Sequence, residues 1–128
     1  MMYWMKSNAK TQAMPTTVNI PPEAEKDIRR LRRKYPGVIG EIRRLVEQLE
    51  NDKRPGEKIA GVGYDVYKVR LPNPSARRGK RGGFRVIYYV QMADRVFLLR
   101  LYSKTEQSDI PPDRIRLSLE DLRSPDDD

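Results

Sequence analysis

The sequence predicts an α+β fold: an N-terminal strand, a helical hairpin packed on one face of a small, mainly antiparallel sheet, and a short C-terminal helix. Three observations predict it. Residues 79–104, GKRGGFRVIYYVQMADRVFLLRLYSK, alternate β-branched and aromatic residues around a turn at Met92-Ala93-Asp94. Residues 22–50 carry apolar residues at helical spacing in two runs split by Pro36-Gly37. Pro111-Pro112 precedes a third short helical stripe. Helices early and strands late give segregated layers rather than a parallel α/β sheet.

Residues 1–15 are polar and aperiodic, and are expected to be a flexible extension. Residues 16–123 are expected to form a single domain, and residues 124–128 an acidic tail. Thr16 to Ile20 is a short strand candidate. Pro21-Pro22 ends it and opens a helix, because proline is tolerated in a first turn. Glu23, Glu25 and Asp27 suit the positive end of its dipole. Ala24, Ile28, Leu31 and Tyr35 share one stripe of this helix. Val38, Ile42, Leu45 and Leu49 share one stripe of the next, which ends near Asn51. Arg29, Arg30, Arg32, Arg33 and Lys34 read as the wet side of the first helix.

Residues 53–63 read as a linker, and Tyr64 to Leu71 as a strand. Tyr67, Val69 and Leu71 would face one way, and Tyr64, Val66, Lys68 and Arg70 the other. A basic loop, PNPSARRGKRGG, leads into the hairpin. Phe84, Val86, Tyr88 and Val90 share one face of its first arm. Arg85 shares the other with Ile87 and Tyr89. A charge in an apolar arm is costly without a partner, so Arg85 marks a place to look for function. Its plain alternative is a structural ion pair with Asp65 or with a C-terminal acid. Ile115, Leu119 and Leu122 line the last helix.

The net charge is +8. From Lys68 to Lys104 there are ten Lys or Arg and one acid, Asp94. From Thr105 onward there are eight Asp or Glu against three Arg. The positive potential therefore belongs to the sheet, and an anionic partner is expected. The acidic end, residues 120–128, would screen it in part. With no cysteine, disulfides, thiolate metal sites and cysteine nucleophiles are excluded. With no histidine, the usual neutral-pH acid/base is missing as well. No apolar run is long enough for a membrane span and no signal-peptide core is present, so a reduced cytoplasmic compartment is expected. The phosphate-binding GxxxxGK[ST] loop is absent. Tyr64, Tyr88, Tyr89 and Tyr102 offer faces for stacking on unpaired bases. From the residues alone, binding of RNA or of an acidic protein is the reading.

The segment Tyr67-Lys68-Val69-Arg70-Leu71, followed by GGFRVIYYV and LLRLYSK, resembles the RelE/ParE family of bacterial toxins, on its RelE-like or HigB-like side. The resemblance spans roughly residues 16–120 and is specific over residues 64–104. It implies a RelE-like microbial RNase fold and the toxin of a type II toxin–antitoxin system. It also implies a metal-independent, cofactor-free cut of mRNA during translation. There the 2′-hydroxyl attacks the adjacent phosphorus and leaves a 2′,3′-cyclic phosphate. The implied partners are a cognate antitoxin, mRNA and the ribosome, with no membrane and no metal.

Lys68 and Arg70 match the two basic residues of the family's first central strand, one of which acts as base. Arginine's pKa is too high for that work, so Lys68, crowded by Arg70 and Arg85, is the better candidate. Arg85 matches the arginine that steadies charge on the phosphorane, and Lys104 the basic residue after the last strand. Arg77, Arg78, Lys80, Arg81 and Tyr102 are the expected RNA contacts. The pattern departs at Ile110, where relatives carry a proton-transferring side chain. Tyr102, Glu106 and Asp109 stand as substitutes. Two other functions remain open: a ParE-like gyrase inhibitor, against which the full cationic set argues, and a module that binds RNA or an acidic protein without cutting.

Overall fold

The computed structural model describes residues 16–73, 83–107 and 109–122. In chain order these form β1 (Thr17–Asn19), α1 (Pro22–Lys34), α2 (Val38–Glu50), β2 (Glu57–Lys58), β3 (Val66–Leu71), β4 (Phe84–Met92), β5 (Arg95–Ser103) and α3 (Pro112–Leu122). Residues 1–15 and 124–128, and the loop cations Arg77, Arg78, Lys80 and Arg81, lie outside the described residues.

Proline at the first helical position opens α1, with Glu23 and Glu25 in its first turn and Arg32, Arg33 and Lys34 in its last. Both charge placements complement the helix dipole. Tyr35 ends the helix, as a residue before proline is pushed out of the α region. In α2, Val38, Ile42, Leu45 and Leu49 are buried on one stripe, as their spacing requires.

The sheet runs β1-β5-β4-β3-β2. β1 lies parallel to β5 and the other neighbours are antiparallel. The long hairpin β4–β5 is central, which explains why both of its faces are apolar. Three details differ from the sequence reading. β3 begins at Val66 rather than Tyr64. The turn of the long hairpin shrinks to Ala93-Asp94. The expected linker contributes a strand, β2, whose Glu57 and Lys58 pair with Lys68 and Tyr67. Gly56 makes that pairing possible. Its φ is +93°, and a Cβ there would stand 2.3 Å from the Lys68 carbonyl oxygen. Only glycine allows that approach.

Each sheet face carries its own core. On the first, Val69, Phe84, Val86, Tyr88, Val96, Leu98 and Leu101 pack under α1 and α2. On the second, Val66, Ile87, Leu99 and Tyr102 pack against Ile110, Ile115 and Leu119 around α3. Strict alternation would place Leu98 and Tyr102 on one face. A bulge prevents this: Ile87 pairs with Arg100 and Tyr88 with Leu98, leaving Leu99 extra. The extra residue shifts the phase, so Leu101 joins the first core and Tyr102 the second. Among the described residues, no helix is long and apolar enough to cross a membrane.

Candidate functional site

Register turns the strand pattern into rows across the second face. At one end Val66, Tyr89 and Phe97 form an apolar row, which packs into the core under α3. At the other end Arg70, Arg85 and Tyr102 lie directly across from one another. Lys68, opposite Ile87, sits between the two rows. Lys104 follows β5 immediately, its backbone N–H donating to the Gly83 carbonyl at 3.1 Å. The structure therefore gathers Lys68, Arg70, Arg85, Tyr102 and Lys104 at one end of one face. Directly opposed side chains lie about 5 Å apart at Cβ, so Arg70 and Arg85 are forced into proximity by register alone.

These groups differ in exposure and partners. Arg70 and Lys104 are exposed. Arg85 is buried, at 7% exposure, and its Nη1 donates to the Phe84 carbonyl. Asp65, its expected structural partner, pairs with Lys58 instead. Among the described residues, Arg70, Arg85 and Lys104 form no ion pair with a carboxylate. Lys68 does: its Nζ stands 3.2 Å from Asp109 Oδ2. The Tyr102 hydroxyl donates to Asp109 Oδ1 at 3.3 Å. One carboxylate is thus held between an ammonium and a phenol at the centre of a cationic cluster.

Titration behaviour follows from this geometry. The hydrogen bond from Lys68 and its charge, helped by Tyr102 and Lys104, hold the Asp109 carboxyl below the usual carboxylate range. Asp109 is therefore an anion at neutral pH. Burial, and then the Asp109 charge, push the Tyr102 phenol up to about 12. Tyr102 is therefore a neutral hydroxyl, able to donate.

The structure separates the three candidates for the missing acid/base group. Ile110 is buried in the second core and takes no part. Glu106 is engaged elsewhere: it accepts from Arg30 Nη2 at 2.8 Å and from the Ser103 N–H. Tyr102 and Asp109 remain in the cluster. The stacking expectation is corrected. The rings of Tyr88 and Tyr102 are fully buried. Tyr88 lies on the helix-covered face, its hydroxyl donating to the Pro55 carbonyl. Tyr64 and Tyr89, half-buried, pack edge to face at 5.9 Å against the second core. Tyr102 reaches the site through its hydroxyl, not its face.

Asp27 was read from the sequence as a dipole partner. It is instead buried, at 2% exposure, and accepts from Arg30, from Arg100 and from the Leu101 N–H. Its hydrophilic helix position gave no hint of this, because every partner but Arg30 is more than seventy residues away. Arg30, placed on the wet side, is half-exposed but pairs with Asp27 within α1 and ties the helix to Glu106. Among the described residues, no group of three or more Asp or Glu is placed to hold a metal ion. A concavity between the start of α1 and the end of α3, lined by Pro21, Pro22, Leu99 and Leu122, contains none of the clustered cations.

A protein-family model described as the RelE toxin of the RelE/RelB toxin–antitoxin system matches residues 26–120. The matched stretch starts within α1 and ends within α3, so it includes β3, β4, β5 and every described member of the cationic cluster.

Proposed function

The chain belongs to the RelE toxin family, and from that premise we propose that it is an endoribonuclease that cuts mRNA during translation and is held silent by a cognate antitoxin. The observation that carries this reading is the row Arg70–Arg85–Tyr102, with Lys68 and Lys104 beside it, on the part of the sheet bearing the cations. Arginine forks match phosphate oxygens, and lysine supplies a compact charge. A phosphodiester laid there meets Arg85 from the sheet floor and Arg70 and Lys104 from the rim.

In this reading the substrate's 2′-oxygen attacks the adjacent phosphorus and gives up its proton to Lys68 in its neutral form. The P–O5′ bond breaks, leaving a 2′,3′-cyclic phosphate. Tyr102 donates its proton to the departing 5′-oxygen, which leaves as a hydroxyl. Arg85, Arg70 and Lys104 stabilise the extra negative charge of the phosphorane. In the free protein the Lys68 ammonium is engaged by Asp109, so its work as a base begins only after that carboxylate moves aside. Arg77, Arg78, Lys80 and Arg81, in the segment between β3 and β4, would add further RNA contacts. The site of action would be the cytoplasm, where ribosomes are.

A second reading is favoured by one observation. Ile110, where relatives transfer a proton, is buried in the core. A chain that binds RNA without cutting would show that arrangement. The test is induced expression of the wild type, Arg70→Ala and Arg85→Ala in a bacterial host, with transcript 5′ ends mapped. Codon-phased cuts that vanish in both variants are the expected result. Growth arrest with intact transcripts would point to gyrase or another target. Salt-dependent RNA binding without cuts would establish the binding module.

A further inference from the structure

We propose that the position held by the Asp109 carboxylate is the seat of the RNA phosphate, and that Asp109 is an internal competitor which the phosphodiester must displace. The proposal rests on the RNA reading of the same face and adds a form of self-restraint to it. The first support is the chemistry of the seat. An ammonium at 3.2 Å and a phenol hydroxyl at 3.3 Å converge on the two carboxylate oxygens. As RNA binds, before the cut, two non-bridging phosphate oxygens accept from the same donors in the same way; for the cut itself Lys68 has given up its proton and Tyr102 turns to the 5′-oxygen.

The second support is imbalance. Lys68 takes the Asp109 carboxylate, while Arg70 and Arg85, in the same cross-strand row as Tyr102, and Lys104 have no carboxylate partner among the described residues. A monoanion of short reach satisfies Lys68 and leaves the rest. A phosphodiester chain brings one charge per nucleotide and can meet the rim and the floor together.

The third support is how Asp109 is attached. The next residue, Ile110, is anchored in the second core. The Asp109 side chain is itself 55% exposed. An anchored backbone with an exposed carboxylate can release its ligand without unfolding anything. Exposed ion pairs are weak, worth at most about fivefold in an equilibrium, so the competitor restrains binding without abolishing it. Asp27 is the contrast: buried and bonded to a backbone N–H, it is not displaceable.

The test uses the full chain and a 2′-O-methyl RNA oligonucleotide, which has the phosphates but not the nucleophile. Binding is followed by fluorescence anisotropy at one salt concentration. Asp109→Asn and Asp109→Ala should each bind about fivefold more tightly than the wild type. The gain should disappear when Lys68→Ala is added. Glu120→Gln, which changes the net charge equally at an exposed position of α3, should leave affinity unchanged. An equal gain from Glu120→Gln would reduce the effect to general charge and overturn the proposal. Unchanged affinity in both Asp109 variants would overturn it too, as would a wild type that does not bind the oligonucleotide. If the Asp109 variants lose cleavage of unmodified RNA with unchanged affinity, Asp109 is part of the chemistry and not a competitor. Failure of the nuclease reading itself is read separately, from transcript ends in cells.

Discussion

Two clusters of charge meet β5, and they are built on opposite rules. In the Asp27 cluster, two carboxylates, Asp27 and Glu106, meet two arginines, Arg30 and Arg100. Its centre is buried and its remaining lone pairs are satisfied by a backbone N–H. In the Lys68 cluster, only Lys68 pairs with a carboxylate, the exposed Asp109, and Arg70, Arg85 and Lys104 pair with none among the described residues. A balanced and buried cluster holds the fold, since any missing member strands a charge away from water. An unbalanced cluster at the surface costs the fold some repulsion and returns nothing to it. Its surplus of cations is what the proposed RNA site rests on. Substitutions should therefore damage stability in the first cluster and activity in the second.

The largest expected effect is on the balanced side. Asp27→Ala leaves Arg100 and the Leu101 N–H without their acceptor. The loss should be about 3–5 kcal/mol, the usual cost of breaking a buried pair from one side. Urea unfolding would measure it. A loss below about 1 kcal/mol would mean that solvent replaces Asp27 and that the two clusters do not differ in kind.

Next comes the unbalanced side. Arg70→Ala should lower the cleavage rate on the order of a hundredfold, as removal of one preorganised donor does. Its unfolding midpoint should stay within about 0.5 kcal/mol of the wild type, because it is exposed. Arg85→Ala should also lose activity, but Arg85 is buried and its removal leaves a cavity. Arg70 is therefore the sharper probe.

Gly56→Ala tests how the second cluster is held. A methyl group would meet the Lys68 carbonyl at 2.3 Å, at a φ that disfavours any side chain. The expected cost is about 1–3 kcal/mol. Because β2 and β3 must part at Lys68, cleavage should fall further than Lys53→Ala, at an exposed position of the same loop, would cause. Thermal melting and a cleavage assay on both variants would decide it.

Period-two alternation puts Lys68 and Arg70 on one face of their strand from the sequence alone, because strand geometry is local. Helical spacing placed Leu31, Ile42 and Leu45 in the core for the same reason. That Arg85 shares the face of Lys68 and Arg70 comes from the register of β3 and β4. What stayed hidden depended on long-range pairing. The bulge at Leu99 has no local signature, yet it decides that Tyr102 shares a face with Arg85. Asp27 looks like any acid in a first helical turn until Arg100 arrives from β5. The choice between Glu106 and Asp109 needed the position of Arg30, which draws Glu106 away from the site. Charge composition points to an anionic partner; only pairing shows which cations lack a carboxylate.

The smallest expected effect is in acid, and it separates the two clusters by their exposed members. Burial works against the charge of Glu106, but the hydrogen bonds from Arg30 and Ser103 and the charge of Arg30 outweigh it. Its carboxyl is held below the ordinary value of 4.5. A carboxyl with a lowered folded value binds its proton more readily in the unfolded chain. Its contribution is therefore present above pH 4.5 and is lost as pH falls through the folded value. Since Glu106 is about one-quarter exposed, this contribution should stay below about 1 kcal/mol. Urea unfolding of the wild type and Glu106→Gln should differ at neutral pH and converge as pH falls below 4.5. Asp109 is also held low, by Lys68, but its pair is open to water. Asp109→Asn should therefore differ from the wild type by less than Glu106→Gln does across the same range. The reverse pattern, with convergence for Asp109→Asn and none for Glu106→Gln, would make the Lys68 pair the structural one and remove the reason for treating Asp109 as displaceable.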